Sequence, residues 1–272
     1  DTTSIVEFAT QNTGGTTTYT WTNNTPSIGL SGSGSGDILA FTATNSSTEP
    51  VVATITVTPA FENGDIVCDG EDKTFTITVN PTAQVDQPLD QVVCNGEDVS
   101  VLFSTQNTLG STSYSWVSDI EIGAGLSGNS DMDFTATNSS TEPIVATITV
   151  TPTFEFDNVV CEGEDKTFTI TVNPTVGVNA LADQYITSGQ TSSLVNISST
   201  TTNVTFDWTA VADSGITGLV DFSSTDTTII PAETLFNSGS EPLEVTYTIN
   251  PVLDSPIDCP VDPITYKVIV NP

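Results

Sequence analysis

The feature that most constrains this chain is a long internal repeat. The segment FTATNSSTEPVVATITVTP at 41–59 returns at 134–152 with one change, from Val51 to Ile144. The segment GEDKTFTITVNPT at 70–82 returns unchanged at 163–175, which sets the offset between the copies at 93 residues. Self-similarity at a fixed period is typical of units that fold alike and follow one another along the chain. The sequence therefore predicts an array of similar domains.

A third and more divergent copy follows the first two. The motifs YTW and YSW, which end at Trp21 and Trp116, become FDW, which ends at Trp208. Each copy closes on Asn-Pro, and proline suits the end of a strand or a short stiff linker because it cannot donate to a β-ladder. We place the boundaries at these prolines. The predicted domains are repeat 1 (1–81), repeat 2 (82–174) and repeat 3 (175–272).

Repeat 1 is shorter than repeat 2 at its start. Phe8 aligns with Phe103, so Asp1 aligns with Gly96, and the counterpart of the first strand of repeat 2 is missing. This indicates either a segment of a longer array or a subunit whose first strand comes from elsewhere.

The pattern within each repeat is typical of β-structure. Thr, Val, Ser and Ile dominate, and apolar residues alternate with polar ones in short runs between clusters of Gly, Asn, Ser and Asp. In repeat 2 these runs are 99–105, 112–117, 132–137, 144–151 and 167–172. Six or seven short strands in about 93 residues predict an all-β fold of antiparallel β-sandwiches. We expect the tryptophan in the middle of each repeat to pack in its core: Trp21, Trp116 and Trp208.

Charge excludes several classes of function. The chain has 34 acidic residues against three lysines, and it has neither arginine nor histidine. Such a surface repels nucleic acid and anionic membranes, and no apolar run is long enough to span a bilayer. Without histidine the usual general base and the Ser-His or Cys-His nucleophiles cannot be built. The chain is therefore predicted not to be an enzyme.

The repeated motifs carry a resemblance to a known family. The series VVCNGEDVSV, SYSW, GLSG, ATITVTP and VVCEGEDKTFTITVNP resembles the PKD-like, immunoglobulin-like repeats of very large surface proteins of Bacteroidota, including gliding-motility adhesins. The resemblance covers all of repeat 2, most of repeat 1 and, more weakly, repeat 3. It implies tandem immunoglobulin-like domains in an elongated array, secretion by the type IX route and display on the cell surface.

The recurring motif C-x-G-E-D raises the question of a metal or thiol site. Its cysteines are far apart in the chain, and zinc sites usually gather four Cys or His ligands at short spacing. Disulfides are more consistent with an exported protein. In an immunoglobulin-like topology Cys94 and Cys161 would lie at opposite ends of repeat 2, which favours an inter-domain bond from Cys94 to Cys259. Cys68 and Cys161 would then pair with cysteines outside this chain. The alternative, Cys94 with Cys161, stays open at this point.

The acidic residues offer a weak set of calcium ligands. None lies in a D-x-D-x-D-G loop, and solubility of a long surface fibre explains them as well. No cofactor is expected, and structural calcium is the one candidate; its weak candidate ligands are Asp72, Asp98, Asp131, Asp133 and Asp165.

Three functions remain open. The first is a structural stalk of a cell-surface adhesin, whose partners are neighbouring repeats or subunits. The second is a module that binds glycans or surfaces. The third is a self-assembling extracellular filament subunit completed by a donated strand.

Overall fold

A computed structural model describes residues 2–220, 222–254, 259 and 261–272. The strands pair within three segments, which span 16–79, 91–173 and 184–271. Within the described residues the helical content is one short 3₁₀ helix, Pro26–Ile28. The all-β prediction and the predicted array of β-sandwiches are confirmed.

Repeat 2 forms a sandwich of two layers. The larger sheet has the order β6-β13-β11-β8-β9, and β12 continues the line of β13 along β11. The smaller sheet pairs β7 with β10. The strands are β6 (Gln91–Cys94), β7 (Asp98–Val101), β8 (Ser111–Ser118), β9 (Ser127–Gly128), β10 (Met132–Thr135), β11 (Ile144–Phe156), β12 (Val159–Glu162) and β13 (Lys166–Asn173).

The first and last strands of repeat 2 run parallel. β6 pairs with β13 in the register that sets Gln91 opposite Ile170 and Cys94 opposite Asn173. The other strand pairs of the sandwich are antiparallel. The alternation seen in the sequence did not reveal this parallel pairing, because side chains alternate between the faces of a strand whichever way its neighbour runs.

Repeat 3 repeats this plan with shorter strands in its second layer. Its main sheet has the order β14-β22-β21-β16-β18, and β14 again runs parallel to the last strand. Two short pairs, β15 with β19 and β17 with β20, form the second layer. The strands are β14 (Gln184–Thr187), β15 (Val195–Asn196), β16 (Val204–Ala212), β17 (Ile216–Thr217), β18 (Ser223–Ser224), β19 (Ile229–Ile230), β20 (Phe236–Asn237), β21 (Leu243–Leu253) and β22 (Ile264–Asn271).

Within its described residues, from Thr2 onward, repeat 1 has the main sheet but only traces of the second layer. β1 and β3 pair along their length, and β4 and β5 follow each other along the far side of β3. The second layer is reduced to the isolated bridges Thr2 with Thr42 and Val6 with Ile38. The strands are β1 (Thr16–Asn23), β2 (Ser33–Ser35), β3 (Val51–Asn63), β4 (Ile66–Asp69) and β5 (Lys73–Val79).

Each repeat has its own apolar cluster around the mid-repeat tryptophan. Trp21, Trp116 and Trp208 are 7%, 6% and 2% exposed. Because the side chains lie inside the cores, these rings are not presented to solvent as a platform for sugars.

Candidate functional site: the junctions between repeats

The C-x-G-E-D motif of Cys94 is a tight turn between two layers. Gly96 has φ +87°, a conformation that residues with a Cβ rarely adopt. The Glu97 amide donates to the Cys94 carbonyl at 3.1 Å, and the Cys94 amide donates to Glu97 Oε2 at 2.9 Å. The glutamate therefore closes the turn that joins β6 to β7 and holds the cysteine at the end of β6.

Repeat 3 builds the same turn without the cysteine. Gly189 has φ +86°, and the Thr187 amide donates to Gln190 Oε1 at 2.9 Å. Glutamine replaces glutamate and threonine replaces cysteine at matching positions. The motif thus has a role in backbone geometry that is separate from its thiol.

The second use of the motif, before the last strand, has a different backbone conformation. In repeat 1, β4 and β5 run in the same direction along β3, and three residues (70–72) face two residues of β3 between the paired positions. The interruption is a bulge, because Gly70 remains hydrogen-bonded to Pro59 through its amide at 2.8 Å. Residues 163–165 of repeat 2 form the same bulge opposite β11, so the motif has two different backbone conformations in one domain.

A disulfide joins repeats 2 and 3. Sγ of Cys94 lies 2.13 Å from Sγ of Cys259, and their Cα atoms are 5.6 Å apart. Cys94 ends β6, while Cys259 precedes β22, so the bond connects the end of one sandwich with the opposite end of the next. Cys161 precedes β13, at the end of that strand away from Cys94. This arrangement separates Cys94 from Cys161, as the topology argument required.

An apolar cluster surrounds the disulfide. The cluster consists of four buried residues: Cys94, Val176, Leu253 and Cys259. The partly buried Val178, Val204 and Val261 of repeat 3 pack against it. The Asn173 side chain donates to Cys259 Sγ at 3.7 Å. The junction is therefore packed and covalent rather than a free linker.

Each of the two junctions contains an equivalent main-chain hydrogen bond. The Thr108 amide of repeat 2 donates to the Thr48 carbonyl of repeat 1 at 3.0 Å, and the Thr202 amide of repeat 3 donates to the Thr141 carbonyl of repeat 2 at 3.1 Å. Thr48 and Thr141 lie at equivalent positions of the repeated NSST turn. The first junction is further held by the side chain of Asn80, whose Nδ2 donates to the Phe156 and Val159 carbonyls, both at 3.1 Å. Successive repeats therefore meet head to tail.

A buried asparagine supports the turn that makes this contact. Asn138 Nδ2 donates to the carbonyls of Glu142 and Val172 at 2.8 and 2.7 Å, and the residue is 4% exposed. Asn45 and Asn237 make the same pair of bonds in repeats 1 and 3. Asn45 and Asn138 stand in N-x-S/T sequences, but a glycan on Nδ2 would remove one of these donors. Their role is to fix the turn to the last strand.

Two thiols remain. Cys68 is exposed and Cys161 is half-buried, and neither is in a disulfide within the chain. Their predicted pairing with cysteines outside this chain stays a prediction.

The weak calcium candidates do not converge. Among the described residues there is no group of three or more Asp, Glu, Cys or His side chains that could hold a metal ion. Four of the five candidates serve as acceptors instead: Asp131 Oδ1 for the Phe103 amide, Asp98 for Thr135, Asp165 for Thr151 and Asp72 for Thr58. The fifth, Asp133, lies on β10. Calcium dependence stays untested.

Shifted pKa values are scattered and have local causes. Hydrogen bonds from Ser104 and Gln106 hold the pKa of Asp86 below its ordinary value. A hydrogen bond from Lys267 to Glu244 raises the pKa of that lysine, and burial raises the pKa of Tyr266 well above its usual range.

No helix in the described part of the chain is long and apolar enough to cross a membrane.

Comparisons with known proteins bear on the fold. A search of curated protein sequences finds no match to the chain. Among solved structures, titin domains I67–I69 have a TM-score of 0.48 at 6% identity, covering 94% of this chain and 87% of that one. The human desmocollin-1 ectodomain has a TM-score of 0.36 at 10% identity, covering 97% of this chain and 57% of that one.

TM-scores below 0.5 do not establish a shared fold, and the sandwich architecture follows from the strand pairing itself. At the level of families, residues 185–272, which lie within repeat 3, match the model of the PKD-like domain. Such a domain is compatible with a structural or adhesion module. The chain is thus similar over its third repeat to the PKD-like domain family.

Proposed function

We propose that the chain is a structural stalk segment of a secreted cell-surface adhesin. In this function the repeats hold a distal binding element away from the cell and serve surface attachment or gliding motility. The observation that carries the proposal is the covalent bond between repeats 2 and 3, Cys94 to Cys259. A bond across a junction restrains the angle between domains, which is the property that a stalk requires.

The chemistry of the chain supports a mechanical role over catalysis. The 34 acidic residues lack histidine or arginine partners, and several of their carboxylates accept hydrogen bonds that hold turns and strands. Between repeats 1 and 2 the surface turn that contains NSST is identical in sequence, from 42 to 50 and from 135 to 143. Loops that recognised different ligands would have reason to differ, so glycan binding is the weaker alternative.

The export route and the extracellular location are inferred from the resemblance and from the disulfide. The motifs resemble Bacteroidota surface repeats, which supports export by the type IX route. Disulfides persist in oxidising compartments and at cell surfaces, which supports an extracellular location.

A second candidate function rests on a separate observation. The outer edge of β5 in repeat 1 is unpaired within the described residues, whereas β13 and β22 each carry a parallel strand. This favours a filament subunit completed by a strand from elsewhere.

Electron microscopy of single particles tests the stalk. We expect the bend angle at the junction of repeats 2 and 3 to be narrowly distributed in the wild type and broad in Cys94→Ser/Cys259→Ser. The matched control is Cys68→Ser/Cys161→Ser, which removes two thiols and no disulfide. Equal angle distributions in all three proteins would overturn the stalk. Antibody labelling of intact cells tests the surface location, and staining only after lysis would contradict it.

A further inference from the structure

The edge of β5 has no partner strand among the described residues, whereas the equivalent edge of β13 in repeat 2 pairs with β6. Residues 70–82 and 163–175 are identical in sequence, so β5 and β13 present the same side chains. In repeat 2, Gln87 and Asp90 hydrogen-bond to Thr167 and Thr169 of β13, and the segment ends in the parallel strand β6. Repeat 2 therefore serves as an internal template for what the edge of β5 binds.

The apolar face of β5 is less covered than that of β13. Phe168, Ile170 and Val172 are 3%, 0% and 0% exposed, while their counterparts Phe75, Ile77 and Val79 are only partly buried. Burying these side chains against an added strand is favourable, since buried apolar surface contributes roughly 25 cal/mol per Å².

A cavity of about 570 Å³ lies beside the start of β5 and is lined by Phe8, Asn12, Tyr19, Cys68 and Phe75, among others. At the matching place in repeat 2, Val85 is buried in the core with Phe103 and Phe168. The cavity thus lies where a valine of the added segment would pack.

Hydrogen-bonding groups for such a segment are already positioned. In repeat 2, Asn107 Oδ1 accepts from the Gln84 amide at 2.7 Å, and Asn107 Nδ2 donates to the Thr82 carbonyl at 3.2 Å. The Asn107 amide is itself bonded to Thr105 Oγ1 at 3.0 Å. Asn12, the counterpart of Asn107, makes the same bond to Thr10 Oγ1 at 3.0 Å. The local turn of the receiving asparagine is therefore the same in both repeats.

A second cavity, of about 630 Å³, lies at the other end of β5 and is lined by Val79, Asn80, Val160 and Cys161, among others. At the junction of repeats 2 and 3 the equivalent position is occupied by the disulfide between Cys94 and Cys259. Cys94 lies opposite Asn173, the counterpart of Asn80, and Cys259 is the counterpart of Cys161. A cysteine at the end of the added segment would therefore meet Cys161.

We propose that the edge of β5 and its two flanking cavities form a strand-acceptor site. The occupant is an extended segment that lies outside residues 1–272 and has the pattern of residues 82–94, TAQVDQPLDQVVC, running parallel to β5. A second copy of this chain is not the donor, because β6 and β14 are already seated on β13 and β22. The proposal does not depend on the stalk function.

The segment is then locked covalently. The Cys161 thiolate attacks the donor cysteine sulfur, which arrives as a mixed disulfide with a small thiol. The new S–S bond forms as the old one breaks, the small thiol leaves as its thiolate with the electron pair, and the Cys161 proton passes to water. The oxidant is the disulfide of the donor.

A synthetic peptide of residues 82–94, with its cysteine as the mixed disulfide of 5-thio-2-nitrobenzoate, tests the proposal on the full 272-residue chain. We expect one equivalent of the coloured thiolate to be released, and peptide mapping to find the peptide on Cys161. Reaction should be about tenfold or more faster than with a scrambled peptide of the same composition. Cys68 is the internal control, because it is the more exposed thiol.

Two outcomes overturn the acceptor site. One is preferential labelling of Cys68, which indicates that exposure alone decides the reaction. The other is equal rates for the native and scrambled peptides. A second measurement uses the peptide with serine in place of its cysteine. Binding that raises the unfolding midpoint of the wild type, and raises it less in Asn12→Ala, supports the site without the covalent step. Failure of these tests leaves the bend-angle experiment unaffected.

Discussion

Removal of the inter-repeat disulfide gives the sharpest test of the junction. The bond closes a loop with a sequence separation of 165, for which the chain-entropy model gives about 5 kcal/mol at 25 °C. If repeat 3 unfolds alone, the loop runs from the end of repeat 2 to Cys259, roughly 85 residues, and the same model still gives about 4.5 kcal/mol. The expected loss is therefore nearly the same whether the two repeats unfold together or separately.

The assay is urea unfolding of the wild type and of Cys94→Ser/Cys259→Ser, followed by tryptophan fluorescence. Trp116 and Trp208 are buried and report on repeats 2 and 3. We expect the midpoint of the last transition to fall by an amount equal to about 5 kcal/mol divided by the urea m-value. A reductant should destabilise the wild type equally and leave the double variant unchanged. Cys68→Ser/Cys161→Ser should behave as the wild type. A loss below about 1 kcal/mol would refute the entropic reasoning.

Three further predictions concern single features. The pKa of Asp86 is lowered by Ser104 and Gln106, so its carboxylate stabilises the fold above its unfolded pKa and this contribution is lost as the pH falls through the folded value. Asp86→Asn should therefore lose less thermal stability than the wild type between about pH 5 and pH 3; equal losses would contradict this. Gly128→Ala should lose about 1–3 kcal/mol in urea unfolding, because its Cβ would lie 2.6 Å from the Trp116 ring. Gly32→Ala, whose Cβ would meet only Pro26 at 3.4 Å, is the control. A chelator should leave the melting midpoint unchanged, since no three carboxylates of the described residues converge; a clear fall would show structural calcium.

Much of the fold could be predicted because its signals are local and repeated. The alternating runs near β8 and β11 mark strands, and the tryptophans mark the cores. The immunoglobulin-like topology, which puts Cys94 and Cys161 at opposite ends of repeat 2, favoured a bond from Cys94 to Cys259, and the structure has that bond.

Other parts carry no signal that a single sequence can reveal. The contacts from Thr108 to Thr48 and from Thr202 to Thr141 use main-chain atoms, which every residue except proline possesses. The bulge at Gly70 and the turn at Gly96 have the same C-x-G-E-D motif, and only the pairing of the flanking strands with β3 distinguishes the bulge from the turn. The turn-supporting role of Asn138 could have been suspected from the repetition of NSST, but its partners lie on a distant strand.

The disulfide also changes how tension would travel through the molecule. A pull applied along the chain reaches Cys94 at the end of β6 and passes through the sulfur atoms directly to Cys259. The residues between them, which include most of both sandwiches, lie outside this load path. Fully extended, these residues would span roughly 550 Å, but a pull along the chain cannot extend them while the disulfide is intact. Reduction would release that length, so the redox state of one bond sets how far repeats 2 and 3 can be extended.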